Sequence, residues 1–421
     1  MAVMLFHRDL RLVDHNSLEV AKTYGKILAL FVFTPEQVSE KNKLRSTASI
    51  EFMINSLREL EEEVAKQGGK LYLGYGDTVK ILEEVKKRFD FKALVETADY
   101  TPYAKKRTGQ LSDFCKRENL DYKVVHDSYL LEPGTIKNGS GNTFQKFTPF
   151  YEAARRKEIP EPRRAGTLPF TRLTQSSGGS RGTRKVKKLS WETSLEEMER
   201  KFIPERLQEI AVKGGREEGL ELLRKIPEGY AKTHDIPSIS TSLLSAHNHY
   251  GTVSIREVHK AAKGNTAFIR QLWWRDFYGN IMADFETLYR VGAYDFQKSE
   301  WQQPLSAEKK MWLDKWKKGE TGVRLVDAGM KQLLRTGWMH NRIRLVVASW
   351  LIKDMKIHWR HGERFFAQHL VDYDPTQNMM NWIWVASELP FASAPFRKVS
   401  AEGTAKKFDP DEEYVKEWLD G

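Results

Sequence analysis

The spacing of apolar residues changes along this chain, and the change limits the folds that it can adopt. Up to about residue 125, short apolar runs alternate with amphipathic segments, whereas from Trp191 onward apolar residues recur at helical spacing. Apolar runs that alternate with helices are typical of a parallel sheet with crossover connections. The sequence therefore predicts a parallel α/β domain at 1–125, a linker at 126–190 and a helical domain at 191–421.

Five strands are expected in the first domain, at 3–6, 27–32, 70–75, 93–96 and 122–125. Helices are expected between them, at 49–67, 79–89 and 103–118. In the C-terminal half, helical spacing marks 207–223, 254–263, 268–288, 307–318, 325–334, 339–355 and 362–369, and the segment 339–355 is apolar enough to be buried nearly all round. The glycine-rich phosphate turn of dinucleotide-binding sheets is missing, so the sheet alone predicts no ligand.

Composition narrows the compartment and the partners. Lys and Arg number 68 against 57 Asp and Glu, which gives a net charge of +11 and favours a polyanionic partner such as nucleic acid, although a solvated surface explains the same charge. The single cysteine, Cys115, excludes an intramolecular disulfide and fits the cytosol or nucleus. The chain shows neither a secretory signal nor an apolar run of membrane-spanning length, so we expect a soluble protein.

Within the linker, the stretch 130–189 is rich in Gly, Pro, Ser and basic residues, with one patch near 144–154 that we expect to be ordered. Its basic cluster at 181–188 either contacts DNA, serves as a nuclear import signal or forms a solvated loop.

The stretch 338–384 combines large indoles with a few polar groups: Trp338, Trp350, Trp359, Trp382, Trp384, Asp372, Asp374 and Asn378. Indole is the most easily oxidised side chain, so this mixture indicates a bound redox-active ring, whereas a buried core would account for the tryptophans alone. Arg342 and Arg344 interrupt the most apolar helix, and buried arginines need partners. An ion pair between Arg344 and Asp372 is either structural or part of a ring-binding site.

Two further segments suit a nucleotide-like ligand. The hydroxyl-rich run Thr241, Ser242, Leu243, Leu244 and Ser245 precedes a predicted helix, where it either cradles a diphosphate or simply caps the helix. Gln271, Trp274 and Arg275 share one helical face and suit stacking and hydrogen bonding to a planar base.

Other charged groups are better explained by structure. The sequence His7-Arg8-Asp9-Leu10 resembles a kinase catalytic loop without its partner motifs, so we expect Arg8, Asp9, Arg11 and Asp14 to form ion pairs that order the first crossover. Two groups of histidines lack a carboxylate or thiol at ligand spacing and are predicted to be helix-surface residues without a metal: His247, His249, His358, His361 and His369.

Four segments resemble, in order and spacing, the flavin-binding motifs of the photolyase/cryptochrome family: YAKTHDIPSISTSLLS, QLWWRDFY, TGWMHNRIR and DYDPTQNMMNWIW. FHRDLRLVDHNSL, DYTPYAKKR and FTPFY resemble its antenna-domain and linker segments. The resemblance covers nearly the whole chain. It implies a Rossmann-like α/β domain, a long linker and a helical domain that binds folded FAD, which is active as reduced FADH⁻.

The resemblance also implies roles for individual residues. FAD phosphate and ribose contacts fall on Tyr230, Thr241, Ser242, Leu243 and Ser245, and Leu244 is a further FAD contact. Ring contacts fall on Arg275, Asn341, Arg344, Asp372, Asp374 and Asn378, with Asn378 near N5, and further FAD contacts on Phe268, Gln271 and Trp338. Photoreduction falls on Trp382, Trp359 and Trp301, with Trp312 as the substitute for the third. Contacts to the flipped lesion and its DNA fall on Gln271, Trp274, Asn341, Arg342, Trp384 and Arg397. The residues of the catalytic centre are then Gln271, Asn378, Trp274 and Trp384.

Within the family, the segment 339–342 resembles class I enzymes that repair cyclobutane pyrimidine dimers. His340 is followed by Asn341, so the histidine pair of (6-4) photolyases is missing. Gln271 stands where dimer enzymes have Glu, which would slow repair, and Leu243 replaces a frequent Arg. The expected function is light-driven dimer repair in UV-damaged DNA by electron transfer from reduced FAD. The alternatives are a cryptochrome-type photoreceptor and a (6-4) or dual-specificity photolyase, and the short C-terminal end favours repair.

The antenna chromophore is left open by the sequence. Tyr103 and Ala104 stand where folate-binding members have an Asn-Glu pair, which argues against folate. A deazaflavin, a second flavin and an empty site remain as alternatives. We expect a monomer that binds DNA and no membrane.

Overall fold

The computed structural model describes residues 1–173, 189–207, 209–285, 304–387 and 398–420. Its N-terminal part holds one parallel five-stranded sheet in the order β3-β2-β1-β4-β5. The strands are β1 (Ala2–Phe6), β2 (Ile27–Phe33), β3 (Leu71–Tyr75), β4 (Ala93–Thr97) and β5 (Asp121–Val125). All five predicted strands are confirmed.

Helices cover both faces of this sheet, which is why β1 and β2 are continuous apolar runs with every residue buried. They are α1 (Asn16–Lys22), α2 (Pro35–Val38), α3 (Thr47–Lys66), α4 (Thr78–Arg88) and α5 (Pro102–Arg117). Strand β5 is at one edge and is largely exposed. The parallel register places the carboxyl ends of β1 and β4 side by side, with Leu5 opposite Glu96. The residues that follow these strands therefore meet at one edge of the sheet.

The described part of the linker lies against both halves of the protein. Helix α6 (Phe147–Ala154) forms the predicted ordered patch. Upstream of it, the backbone N–H groups of Leu130 and Leu131 donate to the buried carboxylate of Asp276 in the helical half. Downstream, Phe170 is buried beside β2, in a parallel bridge with Ile27. The linker is therefore packed more closely than its composition suggests, while the basic cluster 181–188 lies outside the described residues.

The C-terminal half is helical, and the predicted fold class is confirmed. Its helices are α7 (Leu195–Phe202), α8 (Arg216–Arg224), α9 (Tyr230–Thr233), α10 (Ser245–Tyr250), α11 (Ile255–Ala261), α12 (Thr266–Asp284), α13 (Ala307–Lys318), α14 (Arg324–Thr336), α15 (Asn341–Ser349), α16 (Trp359–His369), α17 (Pro375–Ala386), α18 (Ala401–Phe408) and α19 (Glu413–Leu419). The domain boundaries themselves stay a prediction.

Two predicted helices differ from the structure. The prediction for 207–223 is wrong in its first half, because α8 begins only at Arg216. A Cβ on Gly214 would lie 2.1 Å from the backbone oxygen of Phe52, and Gly215 has a φ of +122°, so this turn requires glycine. The predicted helix 339–355 begins at Asn341, which is exposed, and ends in a π-helical turn at Trp350–Asp354. It is therefore not buried all round.

None of the helices in the described part of the chain has the length and apolar character needed to cross a bilayer.

Candidate functional site

Ion pairs between the two halves fix the edge of the sheet against the helical half. Asp9 pairs with His15 in the first crossover at 3.1 Å, a partner outside the predicted set of charges. Arg11 and Asp14 also find partners outside that set: Arg11 pairs with Asp127, and Asp14 pairs with Arg256 of α11 at 2.8 Å. These groups are nearly or fully buried, so leaving one of them unpaired would be costly. The network therefore joins the halves and does more than order one crossover.

Arg8 extends this network to the N-terminus of α17. It lies 3.1 Å from the carboxylate of Asp374, the N-cap residue of α17, and 3.2 Å from Asp99 at the sheet edge. His249 of α10 is 3.2 Å from the same oxygen of Asp374. Burial opposes ionisation of Asp374, but Arg8 and His249 outweigh it and hold its pKa well below the usual range. Asp374 is therefore a buried anion.

The prediction that His247 and His249 lie on a helix surface is wrong. Both are buried because the short α10 packs against α3, and the ring of Phe52 meets that of His247 at 5.0 Å. Burial lowers the pKa of His247 to about 4, and its Nδ1 lies 2.8 Å from the hydroxyl of Thr252. The other three histidines are half-buried on or beside α16. Among the described residues no His, Cys, Asp and Glu side chains form a metal-binding group.

A cavity of about 410 Å³ opens between α10, α12, α15 and α17. Its size suits a cofactor or a nucleotide-like ligand. Most of the sequence-predicted site residues line it: Tyr230, Ser242, Leu244, Ser245, Phe268, Gln271, Trp274, Arg275, Asn341, Arg344, Asp372, Asp374, Asn378, Trp382 and Trp384. Thr241, Leu243, Trp338, Arg342 and Trp359 do not line it, and Trp301 and Arg397 lie outside the described residues.

Charged and amide groups are fixed at the inner wall of this cavity. Arg344 donates to both carboxylate oxygens of Asp372, at 2.9 and 3.2 Å, as the sequence suggested. The side-chain amide of Asn378 donates to the backbone oxygen of Glu363 at 3.1 Å and to its carboxylate at 3.3 Å. Burial raises the pKa of Glu363. The amide oxygen of Asn378 is thereby oriented by a group one helix away.

One buried acceptor at the cavity wall lacks a partner. The side-chain oxygen of Asn248 has no hydrogen bond within the described part of the chain. A buried unsatisfied acceptor costs free energy, so a ligand that donates to it would be favoured. Arg275 nearby donates to the backbone oxygens of Ser128 and Asn248, at 2.6 and 3.2 Å, and lies over the ring of Tyr129. This wall fits a flat polar ring with hydrogen-bonding edges.

The hydroxyl-rich segment forms the entry to α10. The N-cap residue is Leu244, and no side chain caps the helix, so the alternative of an ordinary Ser/Thr cap is wrong. Leu243 has a φ of +52°, which turns the chain so that Ser242 and Leu244 line the cavity while Leu243 does not. The hydroxyls of Ser242 and Ser245 are therefore placed beside the cavity.

The outer part of the cavity combines two indoles with two polar side chains. Trp274 and Trp384 are half-buried, whereas Gln271 and Asn341 are exposed. Arg342, predicted to contact DNA, has a partner already: its guanidinium pairs with Asp235 and lies over the ring of Phe408 at 5.0 Å. The opening is therefore apolar on its walls and polar at its rim.

Comparison with known families identifies this arrangement. Residues 2–165 match the family described as DNA photolyase, and residues 268–421 match the FAD binding domain of DNA photolyase. A deoxyribodipyrimidine photo-lyase of Alkalihalophilus pseudofirmus is 31% identical over 98% of this chain and 86% of its own length. The chain belongs to the DNA photolyase family. The predicted family and the predicted FAD-binding domain are confirmed.

Solved structures agree with this family assignment. The archaeal photolyase from Sulfolobus tokodaii, solved with two FAD molecules, has a TM-score of 0.85 and 29% identity, covering 99% of this chain and 90% of its own. A Synechocystis cryptochrome with a TM-score of 0.84 and 24% identity, covering 100% of this chain and 88% of its own, shows that the fold is shared.

Two of the tryptophans predicted for electron supply in this photolyase-family chain, Trp359 and Trp382, lie on the contacting helices α16 and α17. Trp382 lines the cavity and is 2% exposed. It packs on Gly362 of α16, where a Cβ would lie 2.1 Å from the indole. Trp359 is one turn earlier on the same helix and is buried. Trp312, the substitute for Trp301, packs against Trp350 at 6.0 Å. Their roles stay predictions.

Sequence reasoning missed several members of the photolyase-family site, including Arg8, Asn248, His249 and Glu363. Asn248 and His249 follow Ser245 by three and four residues, so helical spacing from the hydroxyl-rich segment could have found them. Glu363 is a buried acid on an amphipathic helix, a weak signal. Arg8 is far from the site in sequence, and no local pattern connects it to Asp374.

Proposed function

We propose that the protein is a deoxyribodipyrimidine photolyase that uses light to split cyclobutane pyrimidine dimers in DNA. One observation carries the proposal: the indoles Trp274 and Trp384 line the same cavity as Asp372, Asp374 and Asn378. A cofactor at the inner wall and a lesion at the opening would then be direct neighbours. Relatives that align along nearly the whole chain carry this activity in their names.

The inner wall would hold the isoalloxazine ring of FAD. Arg344 supplies a positively charged hydrogen-bond donor, and its partner Asp372 and the buried anion Asp374 supply negatively charged acceptors. Asn378, oriented by Glu363, would face the reactive edge of the ring, and Asn248 would gain its missing donor. When bound and reduced, FAD would supply the light-excited electron that opens the dimer. The side chains hold this group in place and exclude water.

The outer part would receive the flipped lesion. A dimer stacks poorly, so extruding it from the duplex costs only about a few kcal/mol. Trp274 and Trp384 would replace the lost stacking with apolar contacts. Gln271 and Asn341, at the rim, can donate and accept hydrogen bonds to pyrimidine carbonyl and imide edges. Gln271 carries no charge where related enzymes have Glu, so we expect binding to be kept and repair to be slower.

Phosphate contacts would come from cations around the opening. We propose that Arg342 contributes one of them, in competition with its ion pair to Asp235. Arg397 and the linker cations would contribute others. Because each phosphate contact releases a counterion, affinity for DNA should fall steeply as salt concentration rises.

Electrons would reach the flavin from a third tryptophan, Trp301 or Trp312, by way of Trp359 and then Trp382. The burial of Trp382 and Trp359 favours this route, because an inner relay needs protection from solvent.

We also propose that the protein acts as a monomer in the cytosol or nucleus. Light scattering on the purified protein would check the first part, and localisation in cells would check the second.

The test is illumination of purified, FAD-loaded and pre-reduced protein with two oligonucleotides, one carrying a cyclobutane thymine dimer and one a (6-4) photoproduct. Restored thymines from the first substrate alone, in the light alone, are the expected result. Restoration from the (6-4) substrate alone would make the protein a (6-4) photolyase. Absence of both products, with FAD bound, would favour a photoreceptor.

A further inference from the structure

Phe147 of the linker helix α6 stacks face to face on Trp274. The two ring centroids are 3.8 Å apart and the planes are inclined by only 5°. The other ring contacts of Trp274, with Phe277 and Tyr278, are inclined by 78° and 57°. Among the described residues, Phe147 is therefore the aromatic neighbour that sets the plane of the Trp274 indole.

Phe147 is itself held in place by other groups. Arg270 lies over its ring at 5.0 Å, and the ring of Tyr151 is nearly parallel to it at 5.7 Å. Phe147 is 6% exposed, so it has little room to turn. Arg270 precedes Trp274 by four residues on α12, which places both on one face of that helix. The linker ring is thus fixed against this face, and Trp274 is fixed against the ring.

We propose that Phe147 is a positioning residue for dimer recognition, acting through Trp274. The inference rests on the proposed function, in which Trp274 forms a wall of the lesion cavity. With one indole face covered by Phe147, the rest of the indole bounds the cavity, and its tilt sets the width of the opening. A cyclobutane-linked pair of pyrimidines is thicker than one flat base. A fixed tilt therefore selects for the dimer, whereas a mobile indole would accept other bases more readily.

A neighbour on α6 separates this role from simple packing. Phe150 is 1% exposed and packs against Phe277 at 5.3 Å, but no ring contact joins it to Trp274 in the described structure. Replacing either phenylalanine by leucine removes a buried ring from the contact between α6 and α12. Only the change at Phe147 removes the stack on Trp274. Phe150→Leu is therefore the matched control.

The experiment compares the FAD-loaded, full-length protein with Phe147→Leu, Phe147→Tyr and Phe150→Leu. The Kd values for an oligonucleotide with one thymine dimer and for its undamaged counterpart are measured by fluorescence anisotropy. Selectivity is the Kd for the undamaged oligonucleotide divided by the Kd for the dimer-containing one. We expect this ratio to fall about three- to tenfold in Phe147→Leu, the range of a lost aromatic stack. Phe147→Tyr keeps the ring and should keep the ratio, as should Phe150→Leu. Photoreduction of FAD without DNA should be unchanged in Phe147→Leu.

Two outcomes would overturn the inference while leaving the proposed function intact. One is an unchanged ratio in Phe147→Leu, and the other is an equal fall in Phe150→Leu. If Phe147→Leu does not fold, Phe147→Met fills the space with a flexible side chain and carries the same expectation. Absence of any preference for the dimer in the unaltered protein would overturn both the inference and the proposed function.

Discussion

Arg8, two residues after the first strand, and Asp374, the N-cap residue of α17, form an ion pair at 3.1 Å that crosses from the α/β part to the helical part. Helix α17 carries Asn378, Trp382 and Trp384, which belong to the inner wall, the electron route and the lesion wall. The N-terminal part therefore contributes directly to the position of the helix on which the proposed chemistry depends.

Removal of this ion pair should destabilise the protein. Arg8→Gln leaves Asp374 buried with one fewer counter-charge, and breaking a buried pair costs about 3 kcal/mol. Arg58→Gln is the control, because Arg58 pairs with Glu199 at a similar distance of 2.9 Å but has a side chain that is 41% exposed. Such exposed pairs contribute less than about 1 kcal/mol. The free energy of unfolding is measured by denaturant titration. Equal losses in the two variants would contradict a structural role for the Arg8 pair.

Asp276 should make stability depend on pH. Burial raises its pKa to about 7 from an ordinary value of 3.8, although the backbone N–H of Leu131 and Arg275 act in the opposite direction. The folded state then binds the proton more tightly than the unfolded state, so the contribution of Asp276 to stability declines as pH rises from about 4 to about 7. The total decline is on the order of 4 kcal/mol.

Comparison with Asp276→Asn isolates this effect. The histidines titrate in both proteins and cancel in the difference, whereas Asn does not ionise. The free energy of unfolding of the unaltered protein minus that of the variant should therefore decline between pH 4.5 and pH 7.5, measured in steps of about half a unit. A flat or rising difference would mean that Asp276 is not the buried acid described here.

Trp382→Phe should block photoreduction of oxidised FAD, because phenylalanine is far harder to oxidise than tryptophan. Repair by enzyme that has been reduced chemically should remain close to normal, since that step needs no electron from the protein. Photoreduction of FAD and repair of the dimer are each followed by the change in absorbance during illumination with blue light. Trp350→Phe is the control, because Trp350 is buried against Trp312 and does not line the cavity. Normal photoreduction in Trp382→Phe would remove this residue from the electron route.

Gly362→Ala should displace the same indole. The new methyl group would lie 2.1 Å from the Trp382 ring, so the ring or α16 has to move, at a cost of about 1–3 kcal/mol. Gly109→Ala in α5 makes the same change where nothing lies within 4 Å, and it should stabilise by about 0.5–1 kcal/mol. Thermal unfolding gives the comparison. An unaltered Tm in Gly362→Ala would contradict the tight contact.

Sequence patterns predicted the strands well because the apolar runs of a sheet covered on both faces are local signals. They predicted the burial of α10 poorly, because His247 is buried by Phe52, almost two hundred positions away. The same limit applies to Arg8 and Asp374, and to Arg342 and Asp235, whose partners lie more than a hundred positions apart in the sequence. Family resemblance located most residues of the cavity, since motif order carries that long-range information.

We propose that one cavity serves both FAD and the dimer, and the double variant Trp274→Ala with Trp384→Ala tests whether they share it. The measured quantity is light-dependent restoration of thymines from a dimer-containing oligonucleotide by pre-reduced protein, with FAD content checked by absorbance. We expect the variant to keep FAD and to lose most of its repair, while the unaltered protein repairs the substrate in light and not in darkness. Repair at the normal rate by the FAD-loaded variant would contradict the shared cavity.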